Sequence, residues 1–255
     1  MAQAMTINIK KTDVIRVAQL TLVLLLSLCL KFYYSTASAN ELQWILAPTA
    51  WLVSLATGMS FQFEPYGGYL SLDRTFLIAP ACSGVNFLIV SFLVLTLGKL
   101  WRGTPRAFRW SFLPAAISIA YLSTIIANTT RISGAILLRP FTSGLTWIDP
   151  EEVHRLEGII IYFSFLILVF VASELMEKTG TTDKIKSSDV VRRLPMLLLV
   201  YYAVTLGIPI INGAFRDEAF WNHTLFVLFT PIILVFPLVA LLTDRAEDRA
   251  EDREA

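Results

Sequence analysis

The chain has 255 residues, of which 55% are hydrophobic and 16% charged, with 21 Lys and Arg against 20 Asp and Glu. Ordinary soluble domains carry about 25% charged residues, and a net charge of +1 gives no reason to expect a polyanionic partner such as nucleic acid. Two cysteines, Cys29 and Cys82, do not make a disulfide framework.

The charges are also segregated. None occurs in 17–30, 42–63, 75–98, 110–130, 158–173, 194–215 or 219–243. These stretches cover 144 residues, so every charge sits in the other 111. Soluble helices carry charge along one face throughout, whereas a bilayer demands roughly 20 apolar residues per span. The alternating segments of about ten residues that mark a transmembrane β-barrel are absent from the sequence. The pattern predicts an all-α, polytopic integral membrane helical bundle, with one transmembrane domain over 1–243 and a charged tail over 244–255.

The first apolar run, about 14–34, is long, lacks a convincing small-residue cleavage site and is followed by further spans, so it is read as a retained span. Lys10, Lys11 and Arg16 place its N-terminal side in the cytoplasm. Segment 42–59 must then start and end outside, as a re-entrant or interfacial helix broken at Pro48, with Trp44 and Trp51 suited to an interface. A full span there, with the N-terminus outside, is the alternative. The reading adopted is six spans plus this half-inserted segment, the alternative having seven. Residues 60–81 carry Glu64-Pro65, Gly67-Gly68 and Asp73-Arg74 and read as an irregular or hairpin-like outer segment.

Span 82–100 runs inward. Lys99, Arg102, Arg106 and Arg109 make 99–109 a cytoplasmic loop. Spans 110–131 and 155–174 go out and return around an outer loop, and Lys178, Lys184, Lys186, Arg192 and Arg193 put 174–193 back in the cytoplasm. Spans 194–212 and 223–243 follow, read as scaffold, and leave the C-terminal tail inside. Its repeated Arg-Ala-Glu-Asp sets opposite charges at helical spacing, a solvated extension. No larger internal repeat is visible, so the inverted repeats of many transporters find no support.

Polar groups at membrane depth are costly and each needs a reason. On this topology Cys82 begins an inward span, Arg131 lies about 32 Å along an outward one at 1.5 Å per residue, and His154 starts the next. All three reach the outer side. A thiol, a guanidinium and an imidazole are components of covalent acyl chemistry. In Ala79-Pro80-Ala81-Cys82-Ser83-Gly84 the proline precedes a predicted helix start, which would put the thiol in the first turn, where helix amides favour a thiolate. Arg131, in Asn128-Thr129-Thr130-Arg131, is followed by apolar Ile132 to Leu138 and so is expected to face the bundle; snorkelling to headgroups is the alternative. His154 could be an ordinary loop histidine beside Asp149, Glu151 and Glu152, and His223 is a lesser rival as base. Cys29 is read as a packing residue.

The Cys-Ser-Gly of 82–84, the Asn-x-x-Arg of 128–131 and the His-x-x-x-Gly of 154–158, in this order within 60–175, resemble the exosortase/archaeosortase family. The phrase Ala79 to Phe87 looks most like its K-type exosortases. The resemblance implies an integral-membrane cysteine protease or transpeptidase of the inner membrane, active at the outer face and working through a thioacyl-enzyme. Implied substrates are exported proteins with a C-terminal sorting signal of PEP-CTERM kind: a short motif, a transmembrane helix and a basic cluster. It also implies Cys82 as nucleophile, Arg131 as oxyanion stabiliser and His154 as general base and acid. Asn128, Ser83, Gly84 and Gly158 are supporting positions. Membrane lipids are the remaining partners, and no cofactor or metal is expected. Two rivals stand beside it. Glu151-Glu152-Val153-His154-Arg155 has two residues rather than three before the arginine of a prenyl-protease motif, and no His-Glu-x-x-His zinc motif occurs. A small transporter or envelope-assembly protein would use Arg131 to bind an anion and would not need Cys82.

Overall fold

The computed structural model describes residues 11–101, 112–142, 150–178, 187–217, 220–221, 224–237 and 239; within them, the side chains of 11–13, 101, 142, 150–154, 176–178 and 187–190 fall outside the description. The arginines of the 102–111 loop, Asp149, Lys184, Lys186, His223 and the tail also lie outside it. The helices are α1 (Lys11–Thr36), α2 (Gln43–Thr57), α3 (Val85–Trp101), α4 (Phe112–Thr142), α5 (Pro150–Lys178) and α6 (Ser187–Tyr202). The last continues through a π-helical turn, Ala203–Gly207, into a final short turn, α7 (Ile208–Ile211), and a further apolar helix, α8, runs over Thr224–Pro237.

Among the described residues, five helical stretches are long and apolar enough to cross a membrane: Val14–Thr36, Pro80–Leu100, Phe112–Phe141, Arg155–Leu175 and Val191–Ile211. They coincide with the first five expected spans. Of the sixth, the described residues Thr224–Pro237 form an apolar helix. A helix pairs its backbone polar groups within itself, which lipid requires of any span. The chain is a multi-pass, all-α integral membrane protein. The span built on α3 is mostly buried, whereas the other four are mostly exposed to their surroundings, so α3 is the central helix, packed by α1, α4, α5 and α6. The α1 surface is the opposite case. Val17, Leu25, Leu28 and Phe32 are exposed, a face that lipid tails cover without penalty. Because lipid is as apolar as leucine, the contacts of Phe163, Leu166, Phe170 and Leu197, all fully buried, stabilise by close packing rather than by escape from water.

The α2 helix corrects one expectation. Its fifteen residues rise about 22 Å, less than a span needs, but Pro48 does not break it. A proline lacks the N–H that would bond the carbonyl four residues back, here that of Trp44. The Tyr121 hydroxyl of α4 donates to that carbonyl at 2.7 Å, and the two rings stack with centroids 5.8 Å apart. A neighbouring helix thus supplies the missing donor.

Residues 61–78 form a three-stranded antiparallel sheet of β1 (Phe61–Glu64), β2 (Gly68–Ser71) and β3 (Leu77–Ile78), in that order. The hairpin expected there is present. Gly68 has φ +118°, and a Cβ on it would lie 2.3 Å from the Ile78 carbonyl oxygen, so only glycine lets β3 close on β2. The β2–β3 turn is held by Ser71 Oγ accepting from the Thr75 and Phe76 amides and by Asp73 accepting from Thr75. Arg139, near the end of α4, donates to the Thr75 carbonyl at 3.3 Å and covers the Phe76 ring. This sheet end of the bundle delivers the chain to Cys82.

Candidate active site

The segment after β3 is a 3₁₀ turn, Pro80–Cys82, entered from an extended Ala79. The Cys82 amide bonds to the Ala79 carbonyl at 2.8 Å and the Ser83 amide to that of Pro80 at 3.0 Å. Gly84 then takes φ +75°, reversing the chain before α3 begins at Val85. Cys82 therefore lies ahead of α3, in a three-residue turn of its own, and not in the helix's first turn. The helix-dipole argument for its thiolate loses its basis. Gly84 is doubly constrained: a Cβ there would meet Thr124 Cγ2 at 3.1 Å, with Asn128 Cγ and the Tyr162 oxygen each at 3.4 Å.

Three helices close on this turn. From α4, the fully buried Asn128 donates through Nδ2 to the Cys82 carbonyl at 2.5 Å. Its Oδ1 accepts the Tyr162 hydroxyl of α5 at 2.8 Å and, at 3.4 Å each, Nε and Nη2 of Arg131. Asn128 and Arg131 share a face because they are three apart on a helix. The Arg131 guanidinium interacts with the Cys82 side chain and the Tyr162 hydroxyl, and lies 5.4 Å from the centre of the Tyr162 ring. Phe87 of α3 stacks on the same ring, with centroids 5.2 Å apart.

The expected span 110–131 is longer in the structure. The helix runs to Thr142, so Arg131 sits within it, 9% exposed, facing the bundle as its apolar sequel suggested. Gly158 of α5 lies against the arginine stem, and a Cβ there would be 3.5 Å from Arg131 Cδ, an ordinary contact. Ser83 is buried, with Oγ lacking a partner among the described residues. The backbone of His154 lies in α5, one turn before Gly158, while its side chain falls outside the described residues.

The structure thus brings together Cys82, Gly84, Asn128, Arg131 and Gly158. Sequence reasoning passed over Tyr162, although His154, Gly158 and Tyr162 recur at four-residue spacing, which puts their positions on one helix face. It also passed over Lys31 of α1, whose Nζ donates to Asn86 Oδ1 at 2.7 Å and faces the Tyr34 ring at 5.5 Å, and over Arg155. Asn86, Tyr34 and Arg155 line a cavity of about 270 Å³ together with Ala81, Gly84 and Arg131. Among the described residues no group of three His, Cys, Asp or Glu gathers as metal ligands would.

A buried cation beside a thiol, with a fixed amide holding the thiol's own backbone, can stabilise negative charge at or near sulfur. The transmembrane exosortase family model matches residues 5–172, a range that includes every residue of the cluster and all three motifs. No curated protein sequence and no solved structure matches the chain. With well over half of its length covered, the chain belongs to the transmembrane exosortase family.

Proposed function

We propose that this exosortase is a cysteine protease or transpeptidase that cleaves the C-terminal sorting signal of exported proteins. The observation that carries the reading is the Asn128 side chain, which pins the Cys82 turn through its carbonyl and accepts from the Arg131 guanidinium, so that cation and thiol share one buried anchor. The Cys82 sulfur attacks the scissile carbonyl, forming a C–S bond, and Arg131 stabilises the oxyanion. His154 takes the thiol proton and passes it to the leaving amine as the C–N bond breaks. The thioacyl-enzyme is resolved when an amine or water attacks its carbonyl and sulfur leaves.

The basic residues flanking the spans support an inner-membrane orientation with the sheet end outside and the C-terminus in the cytoplasm. A peptide bond just beyond a substrate's transmembrane helix emerges at that level. Exported proteins with a PEP-CTERM-like tail (motif, apolar helix, basic cluster) are the substrates of this reading, and the phrase 79–87 supports a K-type exosortase. Arg131 as an anion-transport site is disfavoured, because its guanidinium is already engaged with Cys82 and Tyr162.

The test is processing of a C-terminally tagged substrate in cells carrying Cys82→Ala. Loss of the cut with normal membrane insertion is the expected result, whereas Cys29→Ala should process normally. Normal processing in the Cys82 variant overturns the proposal.

A further inference from the structure

The cavity beside Arg131 extends past the residues that carry the family resemblance. Its near wall is Ala81, Gly84 and Arg131, which adjoin Cys82, and its far wall is Tyr201, Thr205 and Val227. These last three belong to α6, the π-helical turn and α8, all beyond residue 172, where the family match ends. Between the walls the lining is mostly apolar, with Val85, Phe87, Val90 and Ile159, and its polar groups there are Tyr34, Asn86, Arg155 and Tyr162.

The far wall is built with care. A π-helical turn is a rare local widening that recurs at functional sites, and here it carries Thr205. The Thr205 hydroxyl donates to the Tyr201 carbonyl at 2.7 Å, so it is committed to its own helix and adds no free donor to the cavity. Phe163 meets Tyr201 edge-on at 5.2 Å. The Tyr202 hydroxyl donates to the Leu228 carbonyl at 2.7 Å, fixing α8 against α6 next to Val227. These contacts fix α6, the π-helical turn and α8 against one another.

We propose that this cavity receives the apolar side chain of the residue whose carbonyl Cys82 attacks, and that Thr205 and Val227 set the size accepted. The inference rests on the proposed thioacyl chemistry and goes beyond it by giving the C-terminal helices a part in choosing the substrate. With the acyl carbon at sulfur and its oxygen at Arg131, the adjoining side chain has this cavity beside it. Its volume of about 270 Å³ is at the small end of ligand sites, which run from about 300 Å³ upward. That suits one large side chain rather than a lipid tail.

The experiment uses the full chain in detergent with Cys29→Ala, so that Cys82 is the single thiol. Tripeptide chloromethyl ketones carrying Ala, Leu, Phe or Asp next to the reactive group alkylate the sulfur, which displaces chloride as the thiol proton is released. The rate at Cys82 is read by intact mass. Leu and Phe reagents should react roughly tenfold faster than Ala or Asp, the discrimination that extra buried carbons give. Thr205→Phe and Val227→Phe should slow the Leu and Phe reagents by roughly tenfold while leaving the Ala reagent nearly unchanged. Val227→Ala should raise the Phe-to-Ala ratio, a gain that misfolding does not produce. Alkylation with no side-chain preference, a preference for Asp, or preferences that the three variants leave untouched overturns the inference and leaves the catalytic reading standing. Failure of every chloromethyl ketone to label folded protein, when iodoacetamide labels Cys82 after denaturation, overturns both.

Discussion

Two arginines inside the same bundle meet different surroundings, and the proposed chemistry assigns them different work. At the end of the bundle away from the sheet, Arg193 of α6 pairs with Glu174 of α5 through Nη1 and Oε2 at 2.5 Å. Glu174 is 2% exposed and Arg193 22%, so the pair is a tie between helices at the membrane edge. At the sheet end, the partners placed around Arg131 include the Asn128 amide and the Tyr162 ring. Arg193 is tied to an acidic side chain of the neighbouring helix, whereas Arg131 stands in the cluster that holds the Cys82 turn. The first arrangement fixes position. On the proposed chemistry, the second holds a positive charge where negative charge forms during acyl transfer.

Substitutions should split along that line. The largest effect belongs to Arg131→Ala, which should lower substrate processing by about 10² to 10³, the usual loss of an oxyanion donor, with membrane insertion intact. Arg193→Ala should do the reverse. Removing one partner of a buried pair costs about 3 kcal/mol or more, read as a lowered unfolding midpoint, while processing per folded molecule stays near normal. If the two variants behave alike, the distinction between the ends fails.

Smaller changes sharpen it. Gly84→Ala forces a side chain into left-handed backbone against Thr124, which should cost about 1–3 kcal/mol and displace the Cys82 turn. Tyr162→Phe keeps the ring over Arg131 but removes the hydroxyl that Asn128 accepts, a hydrogen bond worth about 1 kcal/mol. It should reduce turnover several-fold with unfolding nearly unchanged, whereas a purely structural tyrosine would show the opposite split.

The sheet turn should give the mildest response. Hydrogen bonds from Ser71 and then Thr75 hold the exposed Asp73 carboxyl below its ordinary range. Its folded value being the lower one, the contribution is present above the unfolded value near 3.8 and is lost as pH falls through the folded value. Faster amide exchange at Thr75 on acidification, abolished by Asp73→Asn, is the expected observation.

The bilayer makes some of this legible from sequence and hides the rest. Spans stand out because a charge in lipid is costly, and the same cost marks Arg131, lodged between Asn128 and the apolar run to Leu138. Cys82 and Gly158 are legible through their motifs. What remained hidden depends on partners far away in the chain. Pro48 reads as a break until Tyr121, 77 positions from the carbonyl it bonds, supplies the missing donor. Cys82 reads as a first-turn residue until Gly84 is seen in left-handed backbone, which parts the 3₁₀ turn from α3. Tyr162 could have been found by continuing the four-residue step from His154 through Gly158. Lys31 could not, since nothing near it points to Asn86.

The central claim is that Cys82 carries the acyl group, and the direct measurement is the mass of the protein caught with substrate in the absence of added acceptor amine. The account predicts an adduct on Cys82 equal to the cleaved substrate's N-terminal part, released by hydroxylamine and missing from Cys82→Ala. Processed substrate appearing with no such adduct, and at the same rate in Cys82→Ala, would contradict it.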